Sequence, residues 1–145
     1  MNGKRIRIVC FIVFLAYILV VLRLTIFRTG AFDERQLNLA IFADLIHVFR
    51  NVGIGRFLWL FFGNIGWFVP FGFLLPILLK RESFLKVIVI GLMFSLAIES
   101  LQFIFRIGVA ELDDLILNTL GTAIGYLLFG FASRRFLVSR PRDAN

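Results

Sequence analysis

Four long apolar runs dominate the chain, covering residues 8–27, 57–79, 84–105 and 115–131. Each is close to the ~17–25 residues a helix needs to cross ~30 Å of hydrocarbon. Backbone groups in lipid must be satisfied within their own segment, so the pattern predicts four transmembrane helices. The longest connection runs from Thr29 to Arg56. Within it Leu39, Phe42, Leu45, Ile46 and Phe49 recur at helical spacing, with Asp44, His47 and Arg50 among them. That spacing predicts a short amphipathic helix over 39–49 lying at the membrane interface. A re-entrant half-helix dipping into the bundle is the alternative.

Composition supports this all-α membrane architecture. The chain has 145 residues, room for one domain, and is 60% hydrophobic and 17% charged. Soluble domains sit nearer half apolar and a quarter charged. Nineteen phenylalanines suit lipid-facing surface better than a small aqueous core. The N-terminus begins like a secretory signal, with Lys4, Arg5 and Arg7 before an apolar run. The run continues with bulky residues to Leu22 and has no small-x-small site, so it reads as an uncleaved first span. Cys10, the single cysteine, lies inside that run, which excludes a disulfide framework and a cysteine metal cluster.

The net charge of +7 would suggest nucleic acid in a soluble protein. Here the cations map to span ends, and no nucleic-acid motif accompanies them. With the N-terminus inside, the cytoplasmic segments hold Lys4, Arg5, Arg7, Lys80, Arg81, Lys86, Arg134, Arg135, Arg140 and Arg142. The outer side holds Arg23, Arg28, Arg35, Arg50, Arg56 and Arg106. The excess predicts both termini in the cytoplasm. Asp33, Glu34, Asp44, Glu99, Glu111, Asp113 and Asp114 then fall outside.

Ionisable groups at membrane depth are costly and mark candidate sites. Glu99, Gln102 and Arg106 are spaced i, i+3, i+7 and would share one helix face, with Gln102 bridging the two charges. Glu99 would sit roughly 9 Å below the outer end of span three at 1.5 Å per residue. Asn118 and Asn64 would lie one and two turns below the outer ends of their spans. Arg23 lies near the outer end of span one. The polar groups of all four spans are thus expected at one level in the outer half of the bilayer. They read either as a ligand site or as a structural network that fixes packing.

Asp113 and Asp114 open span four, where acidic residues cap free N–H groups and suit the helix dipole. With Glu99 and Glu111 they could hold a divalent cation or pair with Arg106 and Arg23. No loop spacing supports a metal, and none is expected, nor is any cofactor. Asp114, Asn118, Gly121 and Gly125 share a face of span four, with Gly121 and Gly125 allowing close helix approach. In span two Pro70 and Pro76 remove backbone donors and bend the helix, while Asn64 is its polar candidate. His47, the only histidine, has no partner for general-base chemistry and reads as a surface residue.

These residues resemble the VanZ-like family. The run Asn64–Pro76, with Phe-x-Pro-Phe-Gly and Leu-Leu-Pro, is similar to its second-span signature. So are Glu99-x-x-Gln102, Arg106, Asp113-Asp114, Asn118 and Gly121-x-x-x-Gly125, and, after span one, Arg28 and Arg35-Gln36-Leu37-Asn38. The likeness covers about residues 8–130. The family often has Asn-Leu-Ile-Pro-Phe where this chain has Asn38-Leu39-Ala40-Ile41-Phe42. The missing proline would let the interfacial helix start earlier. The resemblance implies a small polytopic bacterial membrane protein linked to resistance to the glycopeptide teicoplanin.

The leading functional expectation is an outer-leaflet pocket that binds a lipid-linked or lipoglycopeptide ligand. Asn64, Gln102 and Asn118 would supply hydrogen bonds, Arg106 would meet an anionic group, and Glu99 would orient Arg106 or take a proton. Asp114 completes the primary set, with Arg23 and Asp113 secondary. One alternative is an enzyme acting on a lipid-linked substrate through Glu99 or Asp114, although no nucleophile pattern accompanies them. The other is a non-catalytic partner subunit whose polar network is structural.

Overall fold

The computed structural model describes residues 3–26, 32–80 and 82–138. Arg28, which contributes to the family resemblance, lies outside the described residues. So do Arg81, Arg140 and Arg142 and the Arg135 side chain, which entered the orientation count.

The elements follow the apolar runs. They are α1 (Gly3–Ile26), β1 (Gln36–Asn38), α2 (Ala43–Asn51), α3 (Ile54–Leu78), α4 (Phe84–Phe105), β2 (Val109–Glu111) and α5 (Leu112–Val138). Helices α1, α3, α4 and α5 are each long and apolar enough to cross a membrane. Their hydropathic stretches are mostly unburied within the protein, only 6% of that of α1 being covered, so their outer surfaces are left for lipid.

Two ends of the bundle can be distinguished. Arg7 near the start of α1 reaches the Leu78 carbonyl at the end of α3. Tyr126 donates to the Glu82 carbonyl just before α4. At the opposite end Gln102 of α4 donates to the Thr25 carbonyl of α1. These are called here the Lys80 end and the Asp113 end.

Helix α4 coincides with its predicted span. Ser83 caps it, its hydroxyl accepting the Lys86 N–H. It stops at Arg106, whose left-handed backbone (φ 58°) turns the chain out of the helix. Helices α3 and α5 each begin three residues before the apolar runs. Helix α3 continues through Pro70 and Pro76. Pro70 cannot donate to the Gly66 carbonyl, and the adjacent Trp67 carbonyl accepts the Tyr17 hydroxyl at 2.5 Å, tying α1 to this point.

The tightest packing joins α3 to α5. A methyl group on Gly121 would overlap the Ile65 carbonyl, one on Gly125 the Val69 carbonyl, and one on Gly72 the Thr122 carbonyl. The small-residue face of α5 is therefore consumed within the chain. On the other side α1, α3 and α4 share an apolar cluster of Val21, Phe68, Phe71, Leu75, Val87 and Ile98. Phe71 and Phe94 stack at 5.2 Å within it. Part of the phenylalanine content thus builds the interior, while Phe11, Phe62, Phe105 and Phe131 face outward.

The connection after α1 differs from the expected single helix. It first forms β1, which pairs in parallel with β2, Leu37 opposite Ala110. Helix α2 then begins at Ala43, four residues later than the spacing predicts. The delay has a local cause. Asn38 Oδ1 accepts the Ala40 N–H in a tight turn, and Phe42 adopts a left-handed backbone (φ 54°) that cannot belong to a helix. The missing proline at this point does not advance the helix. Helix α2 packs Leu45 against Ile65 and Leu117, and Asp44, His47 and Arg50 are exposed. Gly53, at φ 122°, supplies the reversal into α3 that a side chain would strain.

Candidate functional site

At the Asp113 end a strap formed by residues 32–42 lies across the turn between α4 and α5. The Phe32 N–H donates to the Arg106 carbonyl at 2.7 Å, and Arg106 Nη1 donates to the Asp33 carbonyl at 2.9 Å. Arg35 stands over the Phe103 ring. The β1–β2 pair forms the middle of the strap. At its far end the Phe42 N–H donates to Asp113 Oδ1 at 2.8 Å, and Asn38 donates to Asp44 Oδ2 at 2.6 Å.

Arg106 therefore does not share the face of Glu99. The helix ends at Phe105, so the i, i+7 relation fails, and the exposed Arg106 turns to the strap. Glu99 is buried, 5% exposed, and its Oε2 accepts the Glu111 N–H at 2.9 Å. That bond ties β2 to α4. Gln102 does not bridge Glu99 to Arg106. It reaches the Thr25 carbonyl at 3.2 Å, with Gly108 packed against its amide. Its Oε1 is buried without a hydrogen-bond partner among the described residues.

Asp113 is also a cap, but not of its own helix. It is 4% exposed and serves the Phe42 N–H, 71 residues earlier in the chain. Asp114 accepts a short hydrogen bond from Asn64 of α3. Asn118 donates to the Ser95 hydroxyl of α4 at 2.9 Å, and Thr122 donates to the Asn118 carbonyl. Ser95, Asn118 and Thr122 form a buried polar seam between α4 and α5. Arg23 is exposed in the last turn of α1. His47 is exposed on α2. Among the described residues, no three histidine, cysteine, aspartate or glutamate side chains gather as metal ligands would.

The polar candidates thus collect at one end, where Asn64 bonds to Asp114 and Glu99 lies within electrostatic reach of Asp114 and Glu111. An open cleft of about 250 Å³ adjoins them, between the strap and the facing ends of α4 and α5. Its wall is largely apolar, with Leu37, Leu39, Leu96, Phe103 and Leu115. Glu99, Ser100 and Glu111 are its polar members. Of the six primary sequence candidates, only Glu99 lines it.

A family model described as VanZ/LLP1 matches residues 12–133, most of the chain. The chain belongs to the VanZ/LLP1 family. Protein VanZ of Enterococcus faecium is 39% identical over 71 residues, 49% of this chain and 44% of that protein. The chain thus matches less than half the length of this VanZ relative. No solved structure matches. The VanZ/LLP1 assignment and the four apolar helices together describe a multi-pass membrane protein.

Ser95, Ser100, Leu37 and Leu39 were not among the sequence candidates. Ser95 lies one turn before Glu99, so its place on the polar face was readable. Hydroxyls are common in membrane helices, however, and Ser95 stood out only once Asn118 faced it. Leu37 and Leu39 carried no signal of a site, because Leu39 read as part of a helical pattern and Leu37 faces the cleft only through the pairing of its strand with β2.

Proposed function

We propose that this VanZ/LLP1-family protein binds an amphiphilic cell-envelope ligand in the outer leaflet of a bacterial membrane. The ligand's apolar chain lies in the cleft beneath the strap, and its polar end meets Glu99, Ser100 and Glu111. One observation carries this reading: an open, largely apolar cleft of about 250 Å³ with a buried carboxylate on its wall. Aliphatic side chains favour a hydrocarbon occupant through the area they remove from water. Polar groups few in number then fix its orientation. Both termini lie in the cytoplasm, so the Asp113 end faces outward. The family resemblance connects this role with glycopeptide resistance, teicoplanin being an acylated member of that class.

Arg106 has no part in the ligand contact, since it serves the strap. A structural network is the second reading for Asn64, Asp114 and Asn118, favoured by the Asn64–Asp114 and Asn118–Ser95 bonds that join helices.

Glu99→Gln tests the cleft reading, because it is nearly isosteric and keeps an oxygen for the Glu111 N–H. A thermally stable variant that loses glycopeptide protection in cells supports a ligand site at Glu99. A variant that protects cells as well as the parent removes Glu99 from the site. Orientation is tested by single cysteines at Asp33 and Lys80 in a Cys10→Ala background. Labelling of position 33 only from the cytoplasmic side would overturn the outer-leaflet placement.

A further inference from the structure

A second groove lies at the Lys80 end, remote from the cleft. It is open, has a volume of about 440 Å³, and is lined by Lys4, Arg7, Ile8 and Phe11 of α1 and Leu78 of α3. The four α1 residues are spaced i, i+3, i+4, i+7, so they form one stripe along the helix. Its two cations stand at the helix start, and its two apolar members follow toward the bilayer interior. Phe11 lies about 10 Å from Lys4 along the axis. Ile8 and Phe11 are more than half exposed. No acidic residue occupies the first turn of α1, and the positive end of the helix dipole adds to the cations. Arg7 Nη2 reaches the Leu78 carbonyl at 3.5 Å, which holds the guanidinium over the groove.

The geometry points to a binding site for one anionic phospholipid, its phosphate between Lys4 and Arg7 and its acyl chain along Ile8, Phe11 and Leu78. Charge complementarity identifies the occupant. A second copy of this chain would bring cation against cation, and a soluble anion would leave the apolar wall bare. A phospholipid matches both halves in the order the stripe presents them. Helix α1 gains most from such a wedge, because its hydropathic stretch is the least covered of the four. The site stands apart from the envelope ligand of the cleft.

The test uses native mass spectrometry of the full chain in non-ionic detergent. Phosphatidylglycerol, phosphatidylcholine of the same chains, and inorganic phosphate are added separately. The parent protein is expected to retain one phosphatidylglycerol in preference to phosphatidylcholine. Lys4→Gln/Arg7→Gln is expected to weaken that retention by about 25-fold, taking each cation at about fivefold. Lys86→Gln/Arg134→Gln removes the same charge elsewhere and is expected to leave it unchanged. Leu78→Trp keeps every charge, fills the groove, and is expected to lower retention as well. Equal loss in both charge variants would overturn the site in favour of a general basic surface. So would full retention in Leu78→Trp, or inorganic phosphate competing as well as the lipid does.

Discussion

Replacing Asp113 by alanine should release the strap while leaving the helical bundle folded. Asp113 is nearly fully buried, and its carboxylate accepts the Phe42 N–H at the far end of the strap. A hydrogen bond to a charged acceptor contributes about 1.5–3 kcal/mol, and the orphaned Phe42 N–H adds no compensating interaction. The equilibrium for strap opening should then rise by about 10- to 100-fold. Hydrogen exchange of residues 32–42, followed by mass spectrometry in detergent, reads that opening directly. Asp113→Asn keeps an oxygen acceptor and should show a smaller increase. Asp44→Ala breaks only the exposed bond from Asn38 and should show less still. Exchange confined to the start of α5, with the strap unchanged, would mean that Asp113 serves its own helix. That result would refute the strap tether.

Three further outcomes follow from the same geometry. Gly125→Ala places a methyl group on the Val69 carbonyl and should destabilise the protein by about 1–3 kcal/mol, measured as thermal unfolding in detergent. Gly130→Ala, at a position open to its surroundings, should be neutral in the same assay. Asn118→Leu and Ser95→Ala should be less than additive when combined, with a coupling near ~0.6 kcal/mol, the average for hydrogen bonds between membrane helices. A strictly additive double variant would show that the bond contributes nothing.

Much of the fold was legible because lipid imposes a simple rule: a span must be long, apolar and helical. Phe84–Phe105 emerged with its predicted bounds for that reason. The strap was not legible. Its strands are three residues each, and Leu37 pairs with Ala110 across 73 positions of sequence. No periodicity of length three predicts a partner that far away. Glu99 was legible as a buried carboxylate because its cost demands a partner. That partner, a backbone N–H on β2, carried no side-chain signal. Arg106 was misplaced because face arithmetic assumes the helix continues, and it ends one residue earlier. Asp113 was read as a cap of its own helix, whereas its carboxylate serves the Phe42 N–H of the strap, because capping chemistry does not say whose N–H is served.

The central claim is that the cleft holds the apolar chain of an envelope amphiphile, and a blocked cleft tests it most directly. Ser100 lines the cleft with an exposed side chain whose hydroxyl bonds only within its own helix turn, to the Leu96 carbonyl. Ser100→Trp should fill the cleft without disturbing Glu99. Native mass spectrometry of the two proteins, extracted from the same membranes in mild detergent, compares what each carries. The parent is expected to retain a lipid-like molecule that Ser100→Trp loses, with both proteins melting alike. Equal retention by the two, or a parent that carries no amphiphile, would contradict the claim.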